Sequence, residues 1–108
     1  MMTLKEVCDL VGVSRRAVQG YEVKKLIAAC GKNKYGYLLY DEEAVKKIQC
    51  IKRYQDFGFT IAEIKTLLCA TDEMYIEIMR GRVEIMKLQL KRIRKNIELA
   101  EGMIEERK

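Results

Sequence analysis

With 108 residues, 34% of them charged, two Phe and no Trp, the chain has material for one small domain with a thin core. Net charge is +5 and the excess is N-terminal: residues 1–40 hold seven Lys or Arg against three Asp or Glu, residues 41–70 five against five, and residues 71–108 nine against eight. A basic head on a mixed-charge tail suits a polyanion, although binding to a ribosome or a membrane surface would give the same sum. No apolar run reaches membrane-span length and the N-terminus lacks a signal-peptide core, so a cytoplasmic protein in a reducing compartment is expected.

Catalysis has little to stand on. There is no His, no nucleophile motif and no convergent carboxylate pair, which argues against an enzyme. Cys8, Cys30, Cys50 and Cys69 are spaced by 22, 20 and 19 residues, without the Cys-x2-Cys pairs of structural zinc sites. They read as small apolar residues, with a redox or thiol-metal role as the alternative, and no metal or other cofactor is expected.

The chain opens with Thr3-Leu4-Lys5-Glu6, which has the spacing of a capping box, followed by Leu4, Val7, Cys8 and Val11 on one helical face. Gly12 closes that helix, and Ser14 is placed to cap the next. In this second helix Ala17, Val18 and Tyr21 turn inward by periodicity, while Arg15, Arg16, Gln19 and Glu22 face out. Arg15 and Arg16 fall in the first turn, where the helix dipole disfavours positive charge, so they do not stabilise the helix. The second helix of a helix-turn-helix meets base edges and phosphates with its N-terminal residues, a place that calls for arginine. A solvated arginine pair is the plainer reading. Gly20 lies mid-helix, either to admit a close backbone or merely tolerated.

Leu26 to Cys30 and Tyr37 to Tyr40 are apolar runs around the turn residues GKNKYG, a pattern that predicts a β-hairpin. Its tip carries Lys32, Lys34 and Tyr35, as expected of a wing on a phosphate backbone, or of a hairpin kept soluble by lysines. Asp41 caps a third helix running to Phe57 and closed at Gly58, with Val45, Ile48, Ile51 and Phe57 on its apolar side. Thr60-Ile61-Ala62-Glu63 is a second capping box, opening a short helix with Ile61, Ile64, Leu67 and Leu68 as its apolar residues. From Glu73 to Arg107 no proline intervenes. Ile76, Met79, Val83, Met86, Leu90, Ile93, Ile97, Ala100 and Ile104 step alternately by three and four, a heptad seam for a coiled coil with another chain. The alternative is a helix folded back on its own head.

The fold class is therefore mainly α: a winged helix-turn-helix head at residues 1–70 with a small β-hairpin, then a long coiled-coil dimerisation helix at residues 71–108. In order and spacing the motifs resemble the MerR family of transcription regulators over residues 2–107. GVSRRAVQGYE is similar to the family's GVSxRTLRYYE, YGYLLY to its wing pattern NGYRxY, and DFGFTIAEIKTLL to ExGFSLxEIKxLL. The resemblance implies a homodimer through an antiparallel coiled coil, binding double-stranded DNA at a pseudo-palindromic promoter element that it bends and untwists, with RNA polymerase as a potential partner there. By position it assigns DNA contact to Ser14, Arg16, Tyr21 and Tyr37; Arg15, Gln19, Lys24, Lys32 and Lys34 join them by charge and placement. Met79, Val83, Met86, Leu90, Ile93, Ile97, Ala100 and Ile104 form the dimer seam.

Three positions depart from the pattern. Gln19 stands where the family has arginine, Gly20 where it has its first tyrosine, and Leu38 where the wing has arginine. Gln19 could read an adenine edge by a bidentate pair, and Lys24, Lys25, Lys32 and Lys34 could restore charge. No effector domain is expected after the long helix, which ends near Lys108. Rival readings are an architectural or excisionase-like factor of a mobile element, which would bind tandem direct repeats, and a coiled-coil module that recruits a different chain.

Overall fold

A computed structural model describes residues 1–108. The chain forms two compact units, Met1–Lys65 and Thr66–Lys108.

In the first unit each helix begins where a side chain captures a free amide. Thr3 Oγ1 accepts from Glu6 N at 3.3 Å while Glu6 Oε1 accepts from Thr3 N at 3.1 Å, the reciprocal box that starts α1 (Leu4–Val11). Gly12 ends α1 in the left-handed region at φ 78, and its amide donates to the Cys8 carbonyl. Ser14 Oγ accepts from Ala17 N at 3.0 Å and opens α2 (Arg15–Val23). Asp41 Oδ1 accepts from Ala44 N at 2.8 Å to start α3 (Glu42–Asp56), and the second capping box joins Thr60 to Glu63 at the head of α4 (Ile61–Cys69).

The expected hairpin forms, with a shorter first strand and a third strand added to it. Three short antiparallel strands, β1 (Met2–Thr3), β2 (Gly31–Lys32) and β3 (Leu38–Tyr40), lie in the order β1-β3-β2. Met2 pairs with Tyr40, Thr3 with Leu39, Gly31 with Leu39 and Lys32 with Leu38. Leu26 to Cys30, expected to be the first hairpin strand, is not a strand. The left-handed Lys25, at φ 61, turns the chain there, and Ile27 drops into the core rather than joining a ladder. The extended residues before α1 take the far edge of β3 instead.

The core of this unit is built from Val7, Val18, Tyr21, Ile27, Tyr40, Val45, Ile48, Ile51, Phe59 and Ile64. α1 sits at its centre, in contact with α2, α3, β1 and β3. Phe57, expected on the apolar side of α3, is only partly buried, because Gly58 at φ 102 reverses the chain and Phe59 fills the core against Tyr54 edge-on, ring centres 6.3 Å apart. The cysteines are not core fillers. Cys30, Cys50 and Cys69 are exposed, Cys8 is partly buried, and none is in a disulfide.

The second unit is dominated by α5 (Asp72–Glu105), a 34-residue helix capped by Thr71, whose Oγ1 accepts from Met74 N at 3.3 Å. No residue of α5 is buried within a single chain. On the seam Ile76, Val83, Leu90, Ile93, Ile97 and Ile104 are each 40–58% exposed. At about 25 cal/mol per Å² of apolar surface, leaving this stripe in water forfeits several kcal/mol, which a partner helix would recover. No helix is long and apolar enough to cross a membrane.

Candidate nucleic-acid interface

Sequence and capping place two basic elements side by side. The first is α2. Its opening turn has no acidic residue, and Arg15, Arg16, Gln19 and Lys24 are all exposed, the cations without ion pairs. Ser14 Oγ accepts from Ala17 N in the cap, and its O–H is left to donate. Gly20 is exposed, and a Cβ built there would meet nothing within 4 Å. Neither a close helix nor a strand therefore requires this glycine, and the space beside it is open.

The second element is the wing, residues 31–40. Asn33 organises its tip: Oδ1 accepts from Tyr35 N at 2.9 Å and from Tyr37 N at 3.0 Å, and the Asn33 carbonyl accepts from Gly36 N. Gly36 adopts φ 82, which the turn needs and an L side chain resists. The result is a preformed loop with Lys32, Lys34, Tyr35 and Tyr37 projecting into solvent. The Lys34 ammonium lies 5.1 Å from the centre of the Tyr35 ring, and the Tyr35 and Tyr37 rings are 6.4 Å apart.

The two elements converge. Arg15 at the start of α2 and Tyr37 in the wing line one cleft of about 450 Å³. One assigned residue does not belong to this surface. Tyr21 is 2% exposed, and its hydroxyl donates to Gln55 Oε1 of α3 at 2.6 Å, so it packs the head and offers no ring to DNA. By periodicity it turns inward; its assignment to DNA comes from the motif match alone. Sequence reading also missed what joins helix to wing: the hydroxyl of Tyr40, at the end of β3, donates to the carboxylate of Glu22 on α2. The paired tyrosines of the wing pattern hinted at Tyr40, but nothing in the sequence linked it to residue 22.

Residues 2–71 match the family described as MerR HTH family regulatory protein, and residues 45–106 match MerR, DNA binding. The chain belongs to the MerR family. It is similar to the mercuric resistance operon regulatory protein of Bacillus cereus, 31% identical over 93 residues that make up 86% of this chain and 70% of that protein. It is also similar to nodulation protein NolA of Bradyrhizobium elkanii, 30% identical over 81% of this chain but only 39% of NolA. Against NolA, then, this MerR chain spans well under half the relative's length. Among solved structures it shares its fold with MtaN, the N-terminus of the Bacillus subtilis multidrug transporter activator, with a TM-score of 0.71, 23% identity and coverage of 96% of this chain and 98% of that one. It shares it also with HiNmlR, a MerR family regulator lacking the sensor domain and bound to promoter DNA, with a TM-score of 0.74, 16% identity, and 90% and 78% coverage.

Proposed function

We propose that this MerR-family chain is a sequence-specific DNA-binding transcriptional regulator, residues 1–70 forming the DNA-binding head and residues 71–108 the helix through which two copies pair. The observation that carries this is the convergence of Arg15 and Tyr37 on one cleft, which puts the start of α2 and the wing on the same side of the head. α2 would enter the major groove, with Arg15, Arg16 and Gln19 toward bases and phosphates, while Lys32, Lys34 and Tyr37 of the wing and Lys24 lie along the flanking backbone. Two heads joined by an antiparallel coiled coil of α5 present two such helices, related by a two-fold axis, and therefore select an inverted repeat. Distortion of the duplex between the half-sites costs about 1–6 kcal/mol, offset by the wing contacts that it permits. The protein acts by binding, not catalysis. The shared fold with a regulator bound to promoter DNA supports the same reading.

The test is stoichiometry and layout. Sedimentation of the protein with duplexes carrying an inverted repeat, a single half-site or a tandem direct repeat should give two chains on the inverted repeat and far weaker binding to the half-site. Tight cooperative binding to the direct repeat would favour an excisionase-like factor, and a different chain in stoichiometric complex with α5 a recruiting module.

A further inference from the structure

The cleft shared by Arg15 and Tyr37 has a third wall that the DNA-binding reading does not use. Leu4 and Lys5, from the first turn of α1, complete it, with Leu38 of β3 beside them. Its lining contains two cations, Lys5 and Arg15, and no carboxylate. The nearest acidic residue in sequence, Glu6, is turned back onto Thr3, its Oε1 accepting from both the Thr3 amide and the Thr3 hydroxyl at 3.1 and 3.0 Å. Those bonds hold the Glu6 carboxyl below its usual range, so it stays anionic, its charge tied to the amide and hydroxyl of Thr3, which lines the cleft's edge. Lys5 is exposed and makes no ion pair. Leu38 leaves the wing side of the cleft uncharged, so its cations come from α1 and α2.

We propose that this cleft seats a phosphodiester of the bound duplex, with Lys5 as its cation from α1, Arg15 as its cation from α2 and the Tyr37 hydroxyl as a donor from the wing. The inference rests on the DNA-binding reading and deepens it. A cleft bounded on one side by a major-groove helix and on the other by a wing faces the strand that runs between them, and that strand presents phosphate oxygens there, whatever its sequence. Lys5 therefore contributes affinity and salt dependence without base preference.

The experiment is fluorescence anisotropy of the full chain with the inverted repeat that it selects and with an unrelated duplex, across a salt series, for wild type, Lys5→Gln, Lys95→Gln and Lys5→Gln combined with Leu38→Arg. One phosphate contact contributes about 0.9 to the slope of log affinity against log salt, so Lys5→Gln should flatten the slope by about 1.8 for two heads, equally on both duplexes. Lys95→Gln, on α5, should leave the slope unchanged, and Leu38→Arg should restore it by returning a cation to the same cleft. A Lys5→Gln slope equal to wild type overturns the proposal while leaving the regulator reading intact, as does a loss confined to the selected sequence, which would make Lys5 a base reader. Absence of any sequence preference in the wild type overturns the regulator reading, and absence of binding to either duplex overturns both.

Discussion

The hydroxyl of Tyr40 donates its hydrogen bond to the carboxylate of Glu22, and this pair fastens the wing to α2. Tyr40 is fully buried at the end of β3, and the residue beside Glu22, Tyr21, reaches the other way to Gln55 of α3 at 2.6 Å. Adjacent residues of α2 thus fix the helix against both the wing and α3. That bracing sets the angle between the two elements proposed to hold DNA, so a stability defect here should also be an affinity defect.

Replacing Tyr40 by Phe keeps the ring and removes the donor, leaving a partly buried carboxylate short of one bond. The expected loss is about 1.5–3 kcal/mol, the range for hydrogen bonds to charged groups, read as a lower denaturant midpoint with little change in slope. The pH dependence has a definite sign. Burial first, and then the Glu22 bond and charge, raise the Tyr40 phenol above its ordinary value; burial likewise raises Tyr21. Above about pH 10 the unfolded tyrosines lose protons that the folded ones keep, so this stabilisation is intact below that pH and declines as pH rises beyond it. Tyr40→Phe should decline less steeply. Equal midpoints and equal alkaline slopes for the two proteins would show that the pair contributes nothing.

Lys25 holds φ 61, and the amide of Leu26 donates back to the Tyr21 carbonyl at 2.9 Å, closing α2 with a left-handed residue where glycine is usual. A left-handed L residue costs about 1–2 kcal/mol, of which the greater freedom of glycine in the unfolded chain cancels part. Lys25→Gly should therefore raise stability by about 0.5–1 kcal/mol while weakening DNA binding and flattening its salt dependence. Unchanged DNA affinity would mean that this lysine does not face the duplex.

Gln19 is the exposed residue of α2 best placed to discriminate bases, since its amide can bond an adenine edge at two points. Gln19→Ala should flatten base preference at one position of each half-site, at a cost of about 1–3 kcal/mol for the preferred base, and leave the salt slope as it was. A selected motif identical to that of wild type would remove Gln19 from readout.

The seam of α5 offers a separate handle. Ile93 and Ile97 are 55% and 50% exposed in one chain, and lysine at both should prevent two helices from packing. Ile93→Lys with Ile97→Lys should sediment as a monomer, lose part of its helical circular dichroism because an unpaired helix frays, and bind the inverted repeat no better than a half-site. Retained dimerisation would place the interface elsewhere.

Helix boundaries were legible because they rest on local chemistry. Thr3, Ser14, Asp41 and Thr60 each cap the helix that their spacing announces, and the three-four step of Ile76 to Ile104 runs along one continuous helix. The hairpin around GKNKYG was legible too, but strand β1 was not, because its pairing is non-local: Met2 meets Tyr40 across 38 positions, and a two-residue strand carries no periodicity to read. The same reason hid Lys5. Its position in a capping box shows that it begins a helix, but only the pairing of β1 with β3 brings that helix beside the wing. Tyr21 shows the opposite case, where the inward phase of the helix was the better guide and the motif match the poorer one.

Selection of bound DNA from a random duplex pool at two salt concentrations shows whether two heads read one inverted repeat by sequence. Backbone affinity falls steeply with salt, whereas specific complexes exceed non-specific ones by about 10³–10⁷-fold. A single inverted repeat should be enriched at both concentrations, its half-sites separated by about one helical turn or a multiple of it. Enrichment of no sequence, with binding abolished at the higher salt, would contradict it and leave α2 and the wing as a basic surface without readout.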